Sequence, residues 1–182
     1  MVRGLLWILA AVLLGGIVHL STVLAMPRAA KQDAYSRLAQ LTPVNAVVPL
    51  AATKAGAEIM PFMDPGFAAA VCRYDLSDGP LKLIAPVSQA YTSVTFYTRR
   101  SVAFYAINDR AAGRRTIELD LMTAAQHAQV PEDEEVTAAD RLIIESPTTM
   151  GLIVLRALAP EPGLMPMARQ ALAAATCRIQ SQ

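Results

Sequence analysis

The chain has 182 residues, 16 Lys and Arg against 15 Asp and Glu, and a net charge of +1. That balance argues against nucleic acid as a partner, because phosphate binding needs a basic excess on one face. With 54% hydrophobic and 17% charged residues, the chain is apolar enough to fold, which excludes disorder, and the part beyond residue 26 is long enough for one domain with its own core.

Gly4 to Met26 contains no Asp, Glu, Lys or Arg. As a helix rising about 1.5 Å per residue it would reach about 34 Å, enough for a hydrocarbon core about 30 Å thick. Two readings fit: an uncleaved signal anchor over residues 1–26, or a cleaved secretory signal with Val23-Leu24-Ala25 as its small-residue site. The run exceeds the roughly 7–15 apolar residues of a signal peptide, which favours the single-pass anchor. His19 is ionisable and lies inside the span, but a neutral imidazole near one end reaches the interface without further role. Arg28, Lys31 and Arg37 follow the span and Arg3 precedes it, a count that favours a cytoplasmic domain. Long domains, however, translocate largely regardless of charge, and the cysteines discussed below suit an oxidising compartment. We favour a domain outside the cytoplasm.

Pro27 is expected to kink or reset the helix. Residues 27–41 then read as a helical stalk, with Ala29, Ala30, Ala34, Leu38 and Leu41 near one face and Lys31, Gln32, Asp33 and Arg37 near the other. Residues 42–182 read as a β-rich globular domain. Val44 to Ala51 is a short extended segment, and Lys54 to Phe67 an irregular loop with a turn at Met63-Asp64-Pro65-Gly66. Ala68–Leu76 and Leu81–Val87 flank Ser77-Asp78-Gly79-Pro80 and predict a hairpin. Thr92–Tyr97 and Val102–Ile107 predict a second. They carry the richest aromatic patch, Phe96, Tyr97, Phe104 and Tyr105, which reads as sheet packing first and as a ligand platform second.

Arg115–Leu121 alternates strictly, as a half-buried strand does. A short helix over Met122–Gln129 follows. Glu132 to Glu135 are consecutive acids and lack the spaced oxygens of a calcium loop, so they predict an exposed loop. Leu142–Ser146 and Gly151–Ala157 predict a third hairpin, and Leu164–Arg178 a closing helix with Met165, Ala168, Leu172 and Ala175 on its docking face. The fold class is therefore α+β: an N-terminal transmembrane helix, then an antiparallel sheet or sandwich with a C-terminal helix packed on it.

Cys72 and Cys177 are the two cysteines. An even count in an exported domain suggests a disulfide, closing a loop of about 105 residues and worth roughly 4–5 kcal/mol in the chain-entropy model; two separate buried thiols are the alternative. A metal site needs more ligands than these, and only His19 and His127 are available as imidazoles. No G-x-S-x-G, P-loop or dinucleotide fingerprint is present, so no cofactor is expected, and nucleophilic chemistry would rest on His127 alone. The best polar constellation is Arg73, Asp75, Asn108, Asp109 and Arg110, at two strand ends that a sheet can bring together. Such a cluster suits a carboxylate or sugar hydroxyl, or serves as a structural network. With Tyr105 these six are the candidate ligand or partner contacts.

CRYDLSDGP at 72–80, FYAINDRAA at 104–112 and LRALAPEPG at 155–163 resemble an uncharacterised bacterial family, the domain of unknown function 1254. Its short, membrane-anchored members begin with a span followed by a Pro-Arg pair, as at Pro27-Arg28. The resemblance implies a β-rich domain on an inner-membrane anchor, often associated with a second uncharacterised domain of the same general kind, and no established activity. The expectation is a single-pass bacterial inner-membrane protein with a periplasmic domain that binds or assembles with a companion envelope protein. The rival is a membrane-tethered enzyme acting on a small envelope metabolite or glycan, with Asp75 and Asp109 as a carboxylate pair. A weaker third is an apolar-ligand carrier with a cavity between its sheet faces.

Overall fold

The computed structural model describes residues 2–29, 33–51, 59–60, 63–113, 115–130 and 142–180. The chain divides into two compact units, Met1–Asp33 and Ala34–Gln182.

The first unit is helix α1 (Val2–Ala29). Its side chains are exposed from Val2 to Met26, and it is apolar on every face, as a helix solvated by lipid must be. The Thr22 hydroxyl donates to the Val18 carbonyl at 2.8 Å, so that polar group is satisfied within the helix. α1 is long and apolar enough to cross a membrane, which is compatible with either an anchor or a signal sequence. It runs through Pro27 to Ala29 instead of resetting there, because a proline in the final turn forfeits one hydrogen bond of a ladder that is ending anyway.

The segment expected as a stalk divides between the units. α2 (Ala34–Ala39) buries Tyr35 and Leu38, which lie one turn apart on one face and pack with Val71 and Leu152. The Arg99 guanidinium sits 3.9 Å from the centre of the Tyr35 ring, a cation–π contact that helps hold α2 down.

The second unit is a sandwich of two sheets. Its strands are β1 (Val47–Pro49), β2 (Phe67–Asp75), β3 (Leu81–Pro86), β4 (Thr92–Thr98), β5 (Ala103–Asn108), β6 (Thr116–Thr123), β7 (Leu142–Ser146), β8 (Met150–Leu158) and β9 (Thr176–Ile179). One sheet has the order β1-β2-β8-β4-β5 and the other β7-β6-β3-β9. Every neighbouring pair is antiparallel except β6 and β7. Short helices α3 (Asp109–Ala112) and α4 (Ala124–His127) punctuate the strands, and α5 (Met165–Ala173) precedes β9. The acidic run 132–135 lies outside the described residues.

Of the three expected hairpins only β4–β5 forms. β2 and β3 belong to different sheets, as do β7 and β8. A turn signal marks a reversal of the chain, not which partner each strand bonds. Here the Ser77–Pro80 turn carries the chain over the sandwich edge, so β2 and β3 face each other across the core. The closing helix is also shorter than expected. It ends at Ala173, and Thr176-Cys177-Arg178-Ile179 forms β9 against β3, as β-branched Thr and Ile favour.

The core lies between the sheets, with Tyr74, Phe96, Ile153 and Leu155 on one side and Leu83, Ile117, Leu119 and Leu121 on the other. Ala68, Ala70 and Ala157 form a small-residue floor at one end, and α5 buries Ala168 and Leu172 in the same cluster. Cys72 and Cys177 are joined by a disulfide with Cα atoms 6.5 Å apart. The bond links β2 to β9, and therefore sheet to sheet, instead of sheet to helix.

Two positions are tightly constrained. A Cβ on Gly151 would collide with the Tyr97 carbonyl and the Tyr74 ring. That ring is fully buried, and its hydroxyl lies 3.0 Å from Ser146 Oγ and 3.2 Å from the Tyr97 carbonyl. We therefore expect Gly151→Ala to lower unfolding free energy by about 1–3 kcal/mol through overpacking, read from denaturant midpoints. Replacing Cys72 and Cys177 together by Ala is expected to cost about 2–5 kcal/mol. The same measurement under reducing conditions should bring the unaltered chain down to the level of that variant.

Candidate functional site

The large sheet separates the polar residues that the sequence grouped. β2 and β5 run antiparallel to each other across it, so their C-terminal ends point to opposite edges. Arg73 and Asp75 stand opposite Leu152 and Met150 of β8. Asn108 stands opposite Ser93 of β4, which is level with Arg156. At about 4.8 Å between strands and about 3.4 Å per residue, Asn108 lies roughly 20 Å from Arg73, and Asp109 roughly 28 Å from Asp75. The carboxylate pair of the enzyme reading does not form.

Each end has local structural work instead. The Asp75 carboxylate accepts from the Ser77 hydroxyl at 2.6 Å and the Ser77 N–H at 3.0 Å. The Asn45 side chain accepts from the Asp75 N–H at 2.8 Å and donates to the Asp75 carbonyl at 3.0 Å, extending the ladder with an amide. At the other end, Asn108 caps α3 by accepting from the Ala111 N–H at 2.9 Å, and Asp109 accepts from the Thr92 N–H at 3.2 Å. Arg110 is exposed on α3. Tyr105 packs on Phe96 with ring centroids 6.0 Å apart, and Phe104 meets the same ring at 6.1 Å. Both can do so because Phe96 pairs with Tyr105 while Tyr97 pairs with Ala103, leaving Phe104 as the extra residue of a bulge. Arg73 is half-buried, and its Nε has no hydrogen-bond partner among the described residues.

A concavity that the sequence did not reveal lies on the outer face of the large sheet. It has a volume of about 270 Å³, its floor is Ala69, Val71 and Val154, and its walls include Leu38, Met60, Met63 and Phe67. Asp64 and Arg156 are its two charged lining residues. The Asp64 carboxylate is engaged by the Gly66 N–H at 2.8 Å, which closes the expected turn. A hint was present in the apolar runs Phe67–Cys72 of β2 and Leu152–Leu155 of β8, whereas a sheet with one wet face alternates. The lining comes from separate segments, so only the fold assembles it. Elsewhere, His127 Nδ1 lies 2.5 Å from Glu145 Oε1, with both side chains about half exposed (43% and 54%). This pairing joins α4 to β7.

The family model described as "Protein of unknown function (DUF1254)" matches residues 45–178. The chain belongs to this family. All three motifs at 72–80, 104–112 and 155–163 fall within the matched DUF1254 segment. Among solved structures, the VPA0106 protein from Vibrio parahaemolyticus aligns with a TM-score of 0.58 at 12% identity, over 81% of this chain and 33% of that one. An uncharacterised protein from Burkholderia cenocepacia aligns with a TM-score of 0.47 at 13% identity, over 75% and 34%. The likeness to the Vibrio protein shows a shared fold. The DUF1254 chain spans about a third of the length of these two structures. No curated protein matches it.

Hydrogen bonds from Ser77, its hydroxyl first and its N–H second, hold the Asp75 carboxyl below its ordinary value of 3.8, with Arg73 a smaller contributor. A carboxyl depressed in the folded state contributes stability above its unfolded pKa and loses it as the pH falls through the folded value. Asp75→Asn is therefore expected to remove part of the stability loss below pH of about 4, read from urea midpoints compared at about pH 5 and pH 3.

Proposed function

We propose that this DUF1254 protein is a single-pass, membrane-anchored protein of the bacterial envelope whose sandwich stands in the periplasm and binds a companion envelope protein. α1 supports anchoring by its length and its lack of any polar face. The Cys72–Cys177 bond supports an oxidising compartment, since disulfides persist outside the cytoplasm. Binding is favoured over turnover because Asp75 and Asp109 lie far apart and are each engaged in backbone-shaping hydrogen bonds.

The observation that carries the binding reading is the open edge at β5. Among the described residues β5 pairs with β4 alone. Val102 to Ile107 contains no charge, proline or glycine, and edge strands normally carry such devices to prevent pairing. Val102 is 60% exposed, and Ala103 and Ala106 face solvent. The bulge at Phe104 turns the start of the strand, and Tyr105 to Asn108 remains regular. Such an edge accepts an extended segment of a partner by strand addition. Tyr105 and Asn108 would lie at the contact, with Arg110 beside it.

The reading is checked by photo-crosslinking from position 102 in intact cells, with impermeant thiol labelling of an Arg169→Cys variant, since Arg169 is exposed while Cys72 and Cys177 are buried. We expect a cross-linked product with a second envelope protein that Ala106→Lys abolishes while the domain stays folded, and labelling of the introduced cysteine without lysis. A product unchanged by Ala106→Lys would remove β5 as the contact. Labelling only after lysis would place the sandwich in the cytoplasm.

A further inference from the structure

We propose that the cavity on the outer face of the large sheet is a binding site for a single-tailed amphiphilic carboxylate, and that Arg156 receives its head group. This inference stands apart from the β5 contact and rests on different residues.

On β8, Leu152, Val154 and Arg156 point to the outer face, opposite Arg73, Val71 and Ala69 of β2. Leu152 and Val71 are covered by α2. Val154 and Ala69 are only partly buried and form the cavity floor. A floor of small and branched apolar residues, walled by two methionines and a phenylalanine, favours hydrocarbon. Unbranched methionine walls adapt to a flexible chain.

Arg156 sets the chemistry of the head. It lines the apolar space, is exposed, and makes no hydrogen bond or ion pair among the described residues. Several other charged groups are engaged by protein partners, and of the unpaired cations among the described residues only Arg156 lines the cavity. Lys82 pairs with Glu118 at 2.5 Å, Arg99 lies over Tyr35, and Asp64 accepts from Gly66. A guanidinium with its donor fork open beside an apolar cavity is matched to a planar carboxylate, which it can bind through two parallel hydrogen bonds. A neutral hydrocarbon would leave that fork unused, and a polyanion would find one cation amid apolar walls. Asp64 on the same lining disfavours multiply charged heads. A volume of about 270 Å³ holds about nine non-hydrogen atoms at roughly 30 Å³ each, close to the size of an eight-carbon fatty acid. It lies just below the usual range of small-molecule sites, about 300–1,000 Å³.

The test uses the full-length chain in lipid nanodiscs, titrated with octanoate labelled with ¹³C at its carboxyl carbon and read by NMR against empty nanodiscs. Octanol and octyl phosphate are run in parallel. Saturable octanoate binding is expected. Arg156→Met should weaken it about 10- to 100-fold, as loss of a charge-assisted pair does, and Val154→Trp should abolish it by filling the floor. Octanol should bind more weakly and equally to the unaltered chain and Arg156→Met. An unchanged thermal midpoint for Arg156→Met establishes that folding is intact. Three results would overturn the proposal: no saturable signal above the empty discs, octanoate binding indifferent to Arg156→Met, or octanol binding as tightly as octanoate. Tighter binding of octyl phosphate than of octanoate would overturn the carboxylate assignment in favour of a phosphate head.

Discussion

The covalent bond between Cys72 and Cys177 is the constraint on which the sandwich depends. Cys72 lies in the middle of β2, which hydrogen-bonds to β1 on one side and β8 on the other. Cys177 lies on β9, a four-residue edge strand held by β3 alone among the described residues. Strands that short contribute little by themselves. The bond fixes β9 to the middle of β2 in the opposite sheet and closes a loop of 105 residues, which destabilises the unfolded chain by roughly 4–5 kcal/mol through one contact. With β9 fixed, α5 is held against β2 and β8. The alanines at 68, 70 and 157 leave the volume that Ala168 and Leu172 fill, so the bond, the helix and the small-residue floor act together.

The parts of this fold legible in the sequence are those governed by local periodicity. The β4–β5 hairpin and the strict alternation of β6 belong to this class, because each strand's inward residues repeat at two and its neighbours are close in sequence. The apolar span was legible from length and charge alone. What local pattern does not encode is which strand pairs with which. The turns at Ser77–Pro80 and Pro147–Thr149 reverse the chain as expected, yet each connects two sheets. That choice is made by β8, which inserts between β2 and β4 from about 80 residues downstream of the first and about 60 downstream of the second. The same insertion sets β2 and β5 in opposite directions and scatters the Arg73, Asp75, Asn108, Asp109 and Arg110 group. Cys177 shows a related limit: Ala-rich sequence from Leu164 onward continues a helical pattern, and only pairing with Leu83 on β3 selects a strand.

Tyr35 illustrates how a short element changes its role through one side chain. Read along a helix from 28 to 41, the apolar face seemed to consist of alanines and leucines suited to a stalk. Tyr35 falls one turn before Leu38 and supplies the largest apolar surface of the segment. Burying it against Val71 and Leu152, with Arg99 over its ring, makes α2 part of the domain. α2 is only six residues long, far below the length at which an isolated helix is stable in water, so tertiary contact is what sustains it.

The two outer faces of the sandwich are finished in different ways. On the smaller sheet the outward residues include Lys82, Glu118, Arg178 and Gln180, together with Ile84, Ile143 and the buried Asp120 and Met122. Lys82 and Glu118 form an ion pair, Gln180 donates to Asp120, and Arg178 stands opposite Lys82 in the ladder. These charges are of mixed sign, and most of them meet their complements within the sheet. Such exposed pairs add little stability and suit a solvated face. On the larger sheet the outward residues of β2 and β8 are Ala69, Val71, Arg73, Leu152, Val154 and Arg156, and those of β4 are Ser93, Thr95 and Tyr97; α2 covers Val71 and Leu152. Val154 packs with Leu50, Ile59 and Met60 of the domain itself around that cluster, so folding accounts for much of this apolar surface. The cavity of about 270 Å³ is the part that the described residues leave uncovered. Arg156, at the end of that row, lines it without a hydrogen bond or ion pair among the described residues.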